Sequence, residues 1–270
     1  SMCGYCLMKP SGIITLLTDF GIRDPFVGVV KGVLLSRCPT AQLVDLTHGI
    51  TPQQVDEAGF WLSSCYRWFP PGTVHLAVVD PGVGGARSGL VVGTREHVFV
   101  GPDNGLFGRV LAAGTRARAH QIELERLRLP RPSCTFHGRD LFAPVAAEIV
   151  AGRLSWDAVG PIRGDWVALP DSRPRRLGAE VHGVVVTVDH FGNLITDIEE
   201  HLLAGIDRPI VLVAGVACPL RTTYSDVAPG ELVAMPGSFG TLEVARREGS
   251  AALALGLGRG TTVIVRGGRD

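Results

Sequence analysis

Thr73-Val74-His75-Leu76-Ala77-Val78-Val79-Asp80-Pro81-Gly82-Val83-Gly84-Gly85-Ala86-Arg87 joins an apolar run to a glycine-rich turn that has a charged residue at each end. Its first seven residues are short, mostly apolar and rich in β-branched side chains, which predicts a strand buried on both faces of a parallel sheet. The run stops at a carboxylate, Asp80, and a glycine-rich turn then ends in a guanidinium, Arg87. Open α/β sheets bind ligands outside the carboxyl ends of their strands, so Asp80 stands where chemistry is expected and Arg87 can fold back beside it. Asp-Pro-Gly is also ordinary turn chemistry, and this stretch alone leaves a solvated turn as the alternative.

Residues 13–17 form a second buried-strand pattern that again ends at a carboxylate, in Thr18-Asp19-Phe20-Gly21. Residues 26–37 carry apolar positions at helical spacing and stop at Pro39. A strand over 42–46 and a helix over 55–69 follow, closed by Pro70-Pro71-Gly72. Strand, helix, strand, helix, strand predicts a doubly wound, mostly parallel sheet. Beyond Arg87 come short strands at 90–94 and 97–100, then Gly101-Pro102-Asp103-Asn104-Gly105 opening a helix through 113. A strand at 118–123 follows, and an Ala-rich helix runs to about 152 with His137 at its leading loop. Periodicity is lost between Gly164 and Gly178, which places the domains at 11–165 and 179–270. Residues 181–188, 193–197, 209–213, 231–235, 241–245 and 261–266 read as strands, interrupted by a helix at 250–255. The fold class is therefore α/β, with a smaller C-terminal antiparallel β domain, barrel-like or a sandwich.

Of 270 residues, 46% are apolar and 19% charged, so the chain can build a sizeable core. Its 26 basic and 26 acidic residues cancel, leaving no field that would attract nucleic acid or an anionic membrane. The basic cluster Arg173-Pro174-Arg175-Arg176 reads as a solvated linker. No apolar run nears the roughly 20 residues that span a bilayer, and the first residues lack a signal-peptide pattern, so the expected location is cytoplasmic. Six scattered cysteines suit reduced thiols. Cys3-Gly-Tyr-Cys6 has metal-knuckle spacing without a second pair, so no metal site is expected.

Polar groups thus gather at the ends of elements: Asp19, Asp80 with Arg87, His137, and Asp189-His190-Phe191-Gly192-Asn193. Singly, each admits a structural reading as a turn or a satisfied loop histidine. Together and in this order, with Asp80-Pro81-Gly82-Val83-Gly84, Phe136-His137-Gly138-Arg139-Asp140 and Thr223-Tyr224-Ser225-Asp226, they resemble the S-adenosyl-L-methionine (SAM) hydrolases that form adenosine. These are also called SAM hydroxide adenosyltransferases and are relatives of fluorinase and chlorinase. The resemblance runs from Ile13 to Arg266. It implies a homotrimer with SAM bound at the subunit interface, adenosine and methionine as products, and no cofactor. It further implies that Asp19 holds the ribose hydroxyls, Asp189 faces the methionine ammonium, Ser238 contacts the methionine carboxylate, Asn193 reads the adenine edge, and Tyr224 and Phe191 wall the base. Asp80, Arg87 and His137 match the hydrolase triad.

The halogenating relatives carry a Ser where this chain has Gly138 and a Tyr where it has Asp80, and the loop they insert after the third strand is missing. These three departures favour water as nucleophile. Phe239 replaces an Arg beside the methionine-binding Ser, which leaves the carboxylate contacts open. Two other readings stand beside hydrolysis. A non-catalytic SAM or adenosine sensor would keep Asp19 and Asn193 but gives the triad no task, and a halogenase is opposed by Gly138.

Overall fold

The computed structural model describes residues 8–113, 116–169 and 174–268. Cys3, Cys6 and Arg173 lie outside them. The chain divides into two compact units, Ser1–Leu169 and Pro170–Asp270.

The first unit runs β1 (Ile13–Thr18), α1 (Phe26–Arg37), β2 (Gln42–Thr47), α2 (Val55–Cys65), β3 (Thr73–Val78), β4 (Gly89–Gly93), β5 (His97–Pro102), α3 (Gly108–Ala112), β6 (Arg118–Gln121), α4 (Leu124–Leu127), α5 (Ala143–Val150) and β7 (Ile162–Arg163). Its sheet has the order β2-β1-β3-β5-β4-β6-β7. The half formed by β2, β1, β3 and β5 is parallel. From β5 the sheet continues antiparallel through β4, β6 and β7. Arg87 leads into β4 after a single residue, too little chain for a crossover helix, so β4 can join the sheet only as a hairpin with β5.

Every residue of β3 is buried, as a central strand covered on both faces requires. Its side chains alternate between two cores. Val74, Leu76 and Val78 pack with Val30 and Leu34 of α1 and Val145 and Ile149 of α5. Ala77 and Val79 pack with Ala58 and Leu62 of α2 and Val110 of α3. Helices on both faces make the unit doubly wound. The histidine of β3, His75, is satisfied by Thr15 Oγ1 at 2.7 Å and His97 Nδ1 at 3.2 Å. Burial, then His97, pushes it down to about 3, so it stays neutral and structural.

The second unit contains β8 (Arg175–Leu177), β9 (Glu180–Val188), β10 (Leu194–Glu199), β11 (Pro209–Val213), β12 (Val216–Pro219), β13 (Leu232–Pro236), β14 (Thr241–Arg246), α6 (Ala251–Leu255) and β15 (Thr262–Gly267). The order β12-β11-β15-β9-β10-β14-β13 is antiparallel throughout. An isolated bridge from Leu220 to Ala234 brings its two edges together, so the sheet curls into a nearly closed barrel. The segment read as a solvated linker departs from that reading. Arg175, Arg176 and Leu177 form β8 against β9, and Arg176 Nη1 donates to the Ala204 carbonyl at 2.8 Å. Exposed on an edge, these side chains carry no burial pattern that would mark a strand. No described helix is long and apolar enough to cross a membrane.

Candidate active site

Thr18 of β1 pairs with Val78 of β3 in the parallel ladder, so Asp19 and Asp80 leave neighbouring strands at the same, carboxyl end of the sheet. Asn104 clamps the end of β3, its Nδ2 donating to the Val79 carbonyl at 2.8 Å. The Gly101-Pro102-Asp103-Asn104-Gly105 motif therefore serves to hold the strand that presents Asp80.

Arg87 does fold back. Its Nε donates to Asp80 Oδ1 at 2.9 Å and its Nη2 to Asp80 Oδ2, a bidentate pairing that fits a planar fork to a carboxylate. Both side chains are about nine-tenths buried or more, at 10% and 5% exposure. The second Nη2 hydrogen goes to His137 Nδ1 at 2.7 Å, and the guanidinium lies over the Phe142 ring at 5.1 Å. Asp80, Arg87 and His137 are thus one connected cluster. A guanidinium has no acceptor, so Nδ1 must accept, and neutral His137 carries its proton on Nε2. Burial first, then the Arg87 charge, lowers the His137 pKa, while Asp80, the Ser133 backbone and Asp140 act the other way. Among the described residues Arg87 Nη1 has no partner, leaving two N–H groups free.

The loop that delivers His137 is ordered by Asp140, whose Oδ2 accepts from Ser133 N at 2.9 Å and from Arg139 Nη2 at 2.9 Å. A π-helical turn, Gly138–Phe142, then leads into α5. An added Cβ at Gly138 would lie 3.2 Å from Phe20 and 3.5 Å from Phe136, which with Phe26 form an edge-to-face trio.

Asp19 is held separately. Its Oδ2 accepts from Gln53 N at 2.8 Å. Its loop is fastened from below by His48, whose Nδ1 meets Thr18 Oγ1 at 2.8 Å and whose carbonyl accepts from Gly21 N at 2.8 Å. The other carboxylate oxygen, Oδ1, has no partner among the described residues.

In the second unit, Asp189 to Asn193 make a closed turn. Asp189 Oδ1 accepts from Phe191 N at 2.9 Å and Asn193 N at 2.8 Å, and Oδ2 accepts from Asn193 Nδ2 at 2.9 Å. Gly192, at φ 85°, is required there, since an added Cβ would lie 2.0 Å from Ser250 Oγ at the start of α6. Asn193 Nδ2 also donates to the Tyr224 hydroxyl at 3.3 Å, which donates to Glu243 Oε1 at 2.6 Å. Phe191 is 75% exposed and Tyr224 40%, so both rings present faces to solvent. Ser238 is exposed on the turn between β13 and β14, and among the described residues its hydroxyl is joined to none of these groups.

Sequence reasoning missed Asn104, Gln53 and Glu243. Asn104 donates to a backbone carbonyl and Gln53 donates its own backbone N–H to a side chain, which no spacing reveals. Glu243 sits in β14 with Leu242 and Val244 turned to the core, so it looks like an ordinary outward residue of an alternating strand.

Residues 14–160 match the SAM hydroxide adenosyltransferase N-terminal domain and residues 183–264 its C-terminal domain. The chain is 41% identical over 267 residues to a Thermus thermophilus protein named (R)-S-adenosyl-L-methionine hydrolase, covering 95% of this chain and 99% of that one. A Salinispora tropica protein of the same name is 38% identical, with 97% and 100% covered. Fluorinase from Actinoplanes sp. is 28% identical over 289 residues, with 94% and 97% covered. A solved structure of a conserved protein from Thermotoga maritima superposes with a TM-score of 0.85 at 36% identity, covering 93% of this chain and 99% of that one. Since both units are matched in order over most of their length, the chain belongs to the SAM hydroxide adenosyltransferase family.

Proposed function

We propose that this protein hydrolyses SAM to adenosine and L-methionine by attack of water on C5′. The observation that carries the reading is the Asp80–Arg87–His137 cluster, which leaves two Arg87 Nη1 hydrogens free at the carboxyl end of the sheet. In the reaction an oxygen–C5′ bond forms as the C5′–sulfur bond breaks. The bonding pair neutralises the sulfonium, and water loses one proton. A thioether leaves uncharged and needs no acid, so the chemical difficulty is making water nucleophilic. Arg87 Nη1 donates to the water and stabilises the hydroxide developing from it. Asp80 fixes the guanidinium and balances its charge, and His137 relays the proton, Nδ1 exchanging its Arg87 contact to gain one as Nε2 gives one up to solvent. Asp19, with Oδ1 free, accepts from the ribose diol. Asp189 faces the methionine ammonium, Ser238 the methionine carboxylate, Asn193 the adenine edge, and Tyr224 and Phe191 the base faces.

Water is favoured over halide by Gly138, where any side chain would press on Phe20. The active assembly is a homotrimer in the cytoplasm, with the site built where the first unit of one subunit meets the second unit of its neighbour. The division of the candidate residues supports this: Asp19, Asp80, Arg87 and His137 belong to the first unit, the others to the second.

The test is incubation with SAM, with and without chloride or fluoride, followed by chromatography. Adenosine and methionine in equal amounts are expected. Binding without turnover would support the sensor reading, and a 5′-halo-adenosine formed at a comparable rate would overturn water as nucleophile.

A further inference from the structure

Hydrogen bonds in the second unit form a chain with carboxylates at both ends. Asp189 and Glu243 accept and cannot donate. Between them, Asn193 Nδ2 gives one hydrogen to Asp189 Oδ2 at 2.9 Å and the other to the Tyr224 oxygen at 3.3 Å, and Tyr224 gives its own to Glu243 Oε1 at 2.6 Å. Every direction in the chain follows from its ends. Because Glu243 takes the phenolic proton, Tyr224 offers Asn193 only a lone pair. With both amide hydrogens committed, Asn193 has one orientation, and Oδ1 is the polar atom of its side chain left without a protein partner among the described residues.

Glu243 is well placed for this work. It stands mid-strand in β14, opposite Met235 of β13 and Ile195 of β10, so its backbone is fixed from both sides. An added Cβ at Gly237 would lie 2.8 Å from Glu243 Oε2, so the carboxylate is also confined by the turn that carries Ser238. No cation pairs with it among the described residues, leaving the Tyr224 hydroxyl as its side-chain partner. Burial, then Glu243, pushes the Tyr224 phenol up to about 12, so that the proton this chain depends on is retained at neutral pH.

We propose that Glu243 is a positioning residue that sets base specificity: acting through Tyr224, it holds Asn193 with Oδ1 free, so that the site accepts a hydrogen bond from a purine 6-amino group and rejects a 6-oxo group. The inference rests on Asn193 as the contact to the base edge. An outward Oδ1 meets the amino group of adenine as acceptor to donor, but meets the carbonyl of hypoxanthine as acceptor to acceptor. Loss of the Glu243 acceptor frees the Tyr224 hydroxyl to turn toward Asn193 and removes one of the two constraints on the amide.

The experiment compares adenosine and inosine binding by calorimetry in the parent, Glu243→Leu, which has no acceptor for the phenolic proton, and Tyr224→Phe, with melting temperatures to verify folding. The parent should prefer adenosine by about 100-fold, because a buried polar contact left unpaired is strongly rejected. Glu243→Leu should narrow that preference by roughly five- to tenfold, the factor expected for one hydrogen-bond constraint. Tyr224→Phe interrupts the same chain from its other side and should narrow it similarly. An unchanged ratio in both variants, an equal weakening of both nucleosides, or a parent that does not discriminate would each overturn the proposal. Because the ratio is read without turnover, failure to release adenosine from SAM would sink the hydrolase reading alone.

Discussion

Gly84 and Cys134 are 50 positions apart, yet a Cβ built on Gly84 would lie 2.1 Å from the Cys134 carbonyl oxygen. This approach joins the turn that carries Arg87 to the loop that carries His137, three residues after Cys134. Gly84 is also at φ 77°, where L side chains are strained. Its Gly84→Ala variant should lose about 1–3 kcal/mol of stability from overpacking. Its turnover should fall further than its SAM affinity, because the 2.7 Å Arg87–His137 contact opens while the Asp19 and Asn193 contacts are untouched. Calorimetric melting with separate kcat and KM checks this, and a variant with parental kcat would show that the approach does not align the cluster.

Asp80→Asn, Arg87→Ala and His137→Ala should each lower kcat by about 10²–10⁴-fold, the range for groups acting on a transferred proton. SAM binding should change little, since these residues act on water. Their effects should not multiply in double variants, as expected of one connected unit. Arg87→Ala leaves the buried Asp80 charge uncompensated, and breaking such a pair costs about 3–5 kcal/mol, so its melting point must accompany its kinetics. Multiplying losses would argue against a shared water.

The His137 imidazole should titrate below its ordinary value of 6.5, because burial and then Arg87 disfavour its charged form. Between the lowered folded value and 6.5 the unfolded chain holds a proton that the folded chain does not. The stability from neutral His137 is then complete above 6.5 and is lost as pH falls through the folded value. Activity that requires neutral His137 should likewise fall only on the acid side. Imidazole NMR is the direct check: Arg87→Ala should move the titration upward, since the Arg87 charge is one of the two causes that lower it. A His137 pKa above 6.5 in the parent would overturn the assignment.

In the proposed homotrimer, Asp19→Ala and Asn193→Ala should each abolish nearly all activity, the first through the proposed ribose contact and the second through the proposed base contact. Mixed trimers carrying one defect per chain should regain activity, because some interfaces pair an intact first unit with an intact second unit. For random mixing in a head-to-tail ring, roughly a quarter of interfaces are intact. Two affinity tags and a SAM-consumption assay suffice, and mixed trimers as inactive as their parents would place the whole site within one chain.

Much of this protein is written locally in its sequence. The unbroken burial of β3 and the alternation of strands with helices follow from which side chains must leave water, and periodicity records that directly. Arg87 stands seven positions after Asp80 across a glycine-rich turn, close enough in the chain for the turn to return it to the carboxylate. Other features depend on residues far apart in the chain, or on edges where burial leaves no signal. The exposed β8 and the Leu220–Ala234 closure of the barrel depend on which edges meet. The Gly84–Cys134 approach and the free Nη1 of Arg87 appear only after distant loops have packed. Glu243 shares the strand alternation of any outward residue, and only the tertiary structure places the Tyr224 hydroxyl against it, 19 positions away. Burial of apolar side chains leaves a periodic trace in sequence, whereas the direction of a hydrogen bond is settled by whichever donor the fold brings to each acceptor.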